Sequence, residues 1–229
     1  MVVCRSMATI KEIRGYITVM KKEFPKGTFI LFISFLLLLL VAYLKVPTKN
    51  SIPQDLIAVL RPIATPLQPF TLVDQNKQPF TKDRLKGNWS FVFFGYTYCP
   101  DICPTTLHSL KIIHKTLMKN PGTASDMQVV FVSVDPERDT PEILKKYTAY
   151  FNKEFIAVSG LADNVLKFAK QFAAAYIKEP QKKSGEYLVS HTSSIFLVDP
   201  QMRIVASFSP PHYTDTITSQ YLKIHKMFK

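Results

Sequence analysis

Acidic side chains are in short supply in this 229-residue chain: 17 Asp and Glu stand against 29 Lys and Arg, a formal charge of +12. Such a balance suggests nucleic-acid binding. The basic residues are scattered, however, and no block of like charges appears. No nucleic-acid partner is expected. Cysteine is scarcer still, at three residues, which excludes the disulfide framework of a small secreted domain. Cys4 lies in the N-terminal tail, so the informative pair is Cys99 and Cys103. With no second cysteine pair, a closed four-ligand zinc site is excluded. Internal repeats are absent, and the one low-complexity tract is a run of leucines.

Apolar residues are plentiful at 47%, enough for a real core. They are densest from Thr28 to Leu44, a stretch without charge. As a helix it would measure about 26 Å, just enough to span a bilayer with Lys26 and Lys45 snorkelling at its ends. Six basic residues against Glu12 and Glu23 precede it, and this bias keeps an N-terminus in the cytoplasm. The sequence predicts a cytoplasmic basic tail over 1–27, a retained transmembrane anchor over 28–45, and a domain on the far side. That side is the periplasm in a bacterium, or the intermembrane space in a mitochondrion. Pro47, Pro53 and Pro62 then mark 46–65 as a Pro-rich linker.

From residue 66 to 229, strand and helix signals alternate. A hairpin is expected around Asp74–Lys77. Ser90–Gly95 and Gln128–Val134 read as parallel strands, because the helical pattern Pro104–Lys119 lies between them. Thr140 followed by Pro141 opens another helix. Asp163 and Thr214 are read as caps of two more. Thr192–Val198 pairs with Arg203–Phe208. This order is that of an α/β, thioredoxin-like domain behind a single N-terminal transmembrane helix.

Cys-x-x-x-Cys places Cys99 and Cys103 one helical turn apart, on the same side where the segment coils. A helix N-terminus beside them favours thiolate over thiol. Two such thiols can close a disulfide or hold a soft metal ion, and the pair alone does not separate these duties. Among the five histidines, His108 and His114 default to core or surface positions, and His212 and His225 to solvated ones. His191 precedes an apolar strand whose near end should lie beside the cysteines. Imidazole plus two thiolates is a donor set that suits copper.

Gly95-Tyr96-Thr97-Tyr98-Cys99-Pro100-Asp101-Ile102-Cys103-Pro104 closely resembles the cysteine motif of the SCO/SenC family of copper-binding assembly proteins. The segment Phe131 to Pro141, containing Asp135-Pro136-Glu137-Arg138-Asp139, resembles that family's second motif, and His191 with Phe196-Leu197-Val198-Asp199-Pro200 its third. The resemblance implies a membrane-tethered copper chaperone with Cys99, Cys103 and His191 as metal ligands. Its partner would be the copper-bearing subunit of cytochrome c oxidase, with other copper chaperones as further candidate partners. It equally accommodates a thiol–disulfide reductase in which Cys99 and Cys103 are the catalytic thiols. Tyr98 stands where many members have His, and Ser190 where Asp is common. Asp135 is expected near the thiols, as a turn cap or as a support to the site.

Overall fold

A computed structural model describes residues 26–45, 52–122, 126–180 and 186–228. It divides into two units, 1–51 and 52–229. The expected cytoplasmic tail lies outside the described residues but for its last two, as does Cys4. In the first unit, helix α1 spans Lys26–Lys45. Phe29, Leu31, Phe32 and Leu38 are exposed on it. Side chains are described only for residues 27 and 29–42 of this helix. Among the described residues no helix is long and apolar enough to cross a membrane.

The second unit begins earlier than the expected end of the linker. Helix α2 occupies Gln54–Ile57 and strand β1 Leu60–Pro66. β1 pairs antiparallel with β10 (Arg203–Phe208), with its register broken between Leu60 and Thr65. Proline density suggested a spacer over 46–65. An edge strand tolerates proline because one side of its backbone needs no sheet partner. Residues 46–51 of that linker lie outside the described residues.

The remaining strands are β2 (Thr71–Asp74), β3 (Pro79–Thr81), β4 (Trp89–Gly95), β5 (Met127–Ser133), β6 (Ile156–Ser159), β7 (Tyr176–Lys178), β8 (Val189–His191) and β9 (Ile195–Val198). Eight strands form one sheet in the order β1-β10-β9-β4-β5-β6-β2-β3. β4, β5 and β6 run parallel, joined by α3 (Ile102–Leu117) and α4 (Pro141–Phe151). The β2–β3 and β9–β10 hairpins follow the expected pairings. α5 (Ala162–Gln171) and α6 (Thr214–Met227) complete the fold. Thr140 caps α4 by accepting from the Ile143 amide at 3.4 Å. Leu161 and Tyr213, rather than Asp163 and Thr214, hold the N-cap positions of α5 and α6, and neither makes a side-chain cap bond.

β4 is buried at every residue, as a central strand covered on both faces must be. Its side chains alternate. Phe91 packs on Tyr221 of α6, and Phe93 on Phe131, which in turn meets Tyr147 of α4. Phe94 turns the other way, onto Phe168 and Phe172 at α5. The C-terminal edge of these parallel strands, where open α/β sheets place their sites, ends at Gly95 and Ser133.

Candidate metal centre

β4 ends at Gly95, the chain turns through Tyr96–Pro100, and α3 starts with Asp101 as its N-cap. Cys103 therefore sits in the first turn of α3, two residues past the cap as expected, and it is fully buried. Cys99 remains half-buried in the turn, its amide donating to the Tyr96 carbonyl at 3.3 Å. Both are free thiols.

Gly95 faces the same side of the sheet as Phe93. A β-carbon there would lie 2.7 Å from Cys103 Sγ and 2.9 Å from Phe131 Cε2. The missing side chain makes the room that Cys103 fills. Gly95→Ala should therefore destabilise the domain by about 1–3 kcal/mol, the usual cost of overpacking, while displacing one thiol. A denaturant midpoint equal to wild type would remove this reading of Gly95.

His191 arrives from elsewhere. It ends β8, which among the described residues pairs with β7 alone in a separate two-stranded sheet, Tyr176 opposite His191. The sequence placed His191 in a loop before β9, and this short hairpin was not foreseen. The Thr192 amide and hydroxyl tie it to Ala175. The imidazole meets Phe93 and Tyr96 edge-on, each with ring centres 6.0 Å away. Its Nδ1 is 3.1 Å from the Thr192 carbonyl. A carbonyl can only accept, which assigns the proton to Nδ1 and leaves a lone pair on Nε2. Nε2 lies 3.3 Å from Cys103 Sγ. One donor atom from each of Cys99, Cys103 and His191 falls within 4.8 Å of the others.

The two thiols differ sharply. Cys99 is pulled down to about 3, first because the Cys103 S–H donates to it, then by His191 and the amides of Asp101 and Cys103, all against a burial penalty. Cys103 is pushed up by its bond to Cys99 and by burial. With its proton on Nδ1, His191 offers Cys99 no donor from Nε2, so the Cys103 S–H and the amides carry the lowering. The reduced pair thus holds one thiolate and one thiol sharing a proton. A soft cation can replace that proton. Thiolates suit Cu(I) and imidazole suits copper generally, and no fourth protein ligand closes a zinc tetrahedron among the described residues. The donor set therefore fits copper.

Several residues outside the donor set support it. Asp139, buried just past β5, accepts from the Thr97 amide at 3.0 Å and from the Thr97 and Ser133 hydroxyls. This fastens the thiol loop to β5, and burial raises the carboxyl above its usual range. Asp139 had only its place in the second motif to recommend it. Asp135 binds Arg138 and, at 2.7 Å, the Tyr187 hydroxyl. Ser190 bonds to Glu179.

The other histidines lie apart from the donor set. His108 is exposed, and His114 is buried against Asn152 at 3.2 Å. His225 was expected in solvent but is buried, packed on Trp89 and 3.5 Å from Asp126. It stands four residues after Tyr221, on the inner face of α6. His212, likewise expected in solvent, is half-buried and meets the hydroxyl of buried Thr106 at 3.2 Å.

An α/β domain of the thioredoxin-like type, with a dithiol–imidazole centre at the C-terminal edge of its parallel strands, is the class of protein defined here. Residues 62–226 match the SCO1/SenC family, and the chain belongs to that family. It is 36% identical over 152 residues to a putative copper-binding protein of Stutzerimonas stutzeri, covering 66% of this chain and 73% of that one. The crystal structure of Arabidopsis thaliana ScoI with copper bound has 32% identity and a TM-score of 0.66, covering 70% of this chain and 98% of that one. BsSco, a member of the Sco family of cytochrome c oxidase assembly proteins in which a disulfide switch was identified, is 26% identical. Its TM-score is 0.57, covering 74% of this chain and 98% of that one.

Proposed function

We propose that this protein carries copper on Cys99, Cys103 and His191 and hands it to the copper-bearing subunit of cytochrome c oxidase. The observation that carries the reading is the convergence of two thiols and an imidazole lone pair from segments 88 residues apart. Copper is cargo in this scheme. Cys99 meets it as a ready thiolate, Cys103 gives up the shared proton, and His191 supplies Nε2 while Nδ1 stays bonded to Thr192. Transfer is ligand exchange, in which incoming thiols displace these donors one at a time. The oxidase assembly role ascribed to BsSco supports the choice of target. Other copper chaperones are the candidate suppliers of the metal.

The test is copper titration of the reduced protein. About one ion per chain is expected, with thiolate-to-copper absorption that disappears in Cys99→Ser and in Cys103→Ser. Full absorption in either variant would remove that cysteine from the site.

A second reading is favoured by the thiolate at Cys99. Attack by its sulfur on a target disulfide would form a mixed disulfide, which the Cys103 thiol resolves, leaving Cys99 and Cys103 oxidised and the target reduced by two electrons.

The protein is further proposed to be membrane-tethered through its N-terminal segment. What supports this is the sequence Thr28 to Leu44, which carries no charge and is the most apolar stretch of the chain. With a basic segment before it, the domain would face the periplasm or the mitochondrial intermembrane space. Protease added to intact spheroplasts or mitoplasts should digest the domain. Protection of the domain would overturn the orientation.

A further inference from the structure

Arg138 contributes no donor atom, yet its guanidinium lies where the two ligand-bearing segments meet. Nη1 donates to the Tyr187 carbonyl at 3.0 Å, and Nε donates to Asp135. The other Asp135 oxygen accepts from the Tyr187 hydroxyl, closing a small ring of bonds. The guanidinium carbon stands 3.6 Å from the centre of the Tyr187 ring, 4.8 Å from Tyr98 and 5.6 Å from Tyr96. Tyr98 directly precedes Cys99. Tyr187 lies two residues before β8, which ends in His191. One cation therefore touches the thiol loop through the rings of Tyr96 and Tyr98, and the segment leading into the histidine strand through both the ring and the carbonyl of Tyr187.

We infer that Arg138 is a positioning residue that locks the Cys99 loop to the His191 hairpin and thereby sets the spacing of the three donor atoms. This rests on the reading of Cys99, Cys103 and His191 as copper ligands. Among the described residues β7 and β8 form a sheet of two short strands, and a hairpin of that kind has little stability of its own. Something else must hold His191 against the thiols, and a binding constellation needs its groups fixed to about 0.5 Å. Guanidinium suits the task because its planar fork bonds a carbonyl and a carboxylate while rings cover its faces. The contact also explains why Tyr98, 57% exposed, sits where it does: one ring face is covered by Arg138.

The test compares full-length wild-type protein in detergent with Arg138→Met and Arg138→Lys. Copper affinity is measured against a competing chelator, together with the thiolate-to-copper spectrum. Arg138→Met should lose about 10- to 100-fold in affinity, as when groups that orient metal ligands are removed. Its absorption should shift, and Arg138→Lys should lose about tenfold. In copper-free reduced protein, the amides pairing β7 with β8 should exchange with solvent at least ~10-fold faster in Arg138→Met, while those of β4 and β5 keep their protection. Wild-type affinity and spectrum in Arg138→Met overturn the inference, as does unchanged exchange in the hairpin. If Arg138→Met does not fold, wild-type affinity in Arg138→Lys overturns it instead. If wild-type protein binds no copper, the functional reading fails by itself, and hairpin exchange still decides whether Arg138 joins the two segments.

Discussion

Replacing His191 by alanine is expected to abolish tight copper binding while leaving Cys99 and Cys103 able to close and open a disulfide. The two activities draw on different atoms. Copper needs Nε2 as its third donor, whereas disulfide exchange needs only the two sulfurs. The loss of affinity should exceed the ~10- to 100-fold seen when a mere orienting group is removed, because a ligand itself is gone. The fold should survive, since the ring is only partly buried and its neighbours Phe93 and Tyr96 are held by β4 and the loop after it. Competition against a copper chelator and a redox titration of the thiol pair, run on the same preparation, give both halves of the result. Copper affinity unchanged in His191→Ala would remove the histidine from the site. A disulfide that no longer forms would show that the imidazole serves the thiols as well.

The second large effect concerns pH. With Cys99 at about 3, the reduced, copper-free protein should be alkylated by iodoacetamide at a rate almost flat from about pH 4 to 8. An ordinary thiol near 8.5 speeds up roughly tenfold per unit over that range. Two effects oppose each other in the absolute rate. At pH 5 a free thiol is about 0.03% ionised, so Cys99 gains some 3.5 decades in thiolate fraction. Intrinsic nucleophilicity falls by roughly 2.5 decades over the same pKa difference, given a Brønsted slope of about 0.45. Cys99 should therefore react about tenfold faster than glutathione at pH 5 and more slowly above about pH 6. Cys103, buried and pushed up, should stay unmodified. A rate climbing steeply to pH 8 would sink the assignment of a thiolate at Cys99.

The same shifts set the sign of a stability effect. Between about pH 3 and the unfolded value near 9, the unfolded chain holds a Cys99 proton that the folded chain does not. Stability of the reduced form therefore rises with pH across this window, and this contribution is lost as pH falls through about 3. Above 9 the raised Cys103 reverses the slope, because the folded chain then keeps a proton the unfolded chain has released. Solvent reaches half-buried Cys99 and keeps its contribution modest.

Much of the fold was legible because local patterns and global packing agree. The run Phe91–Gly95 reads as a buried strand, and it is the central one. Thr140-Pro141 reads as a helix start and is one. The disagreements have local causes. Prolines over 46–65 signalled a spacer, but β1 uses that proline-rich chain as an edge. Val189–His191 is too short for a periodic signal, so the hairpin bearing the histidine was invisible. His225 sits among lysines in sequence, yet the 3.6-residue period turns it inward beneath Trp89.

The sequence by itself determined the sulfur chemistry: two cysteines four apart, between a buried strand and a helix start, place paired thiols at one sheet edge. That follows from short-range geometry, which a few consecutive residues fully specify. Only the tertiary structure decided three further things. It brought the His191 lone pair to within 3.3 Å of a thiol, placed Cys103 in the pocket left by Gly95, and set Arg138 between Tyr98 and Tyr187. Each depends on contacts between segments tens of residues apart, whose meeting is fixed by the packing of the whole sheet and by no pattern within either segment.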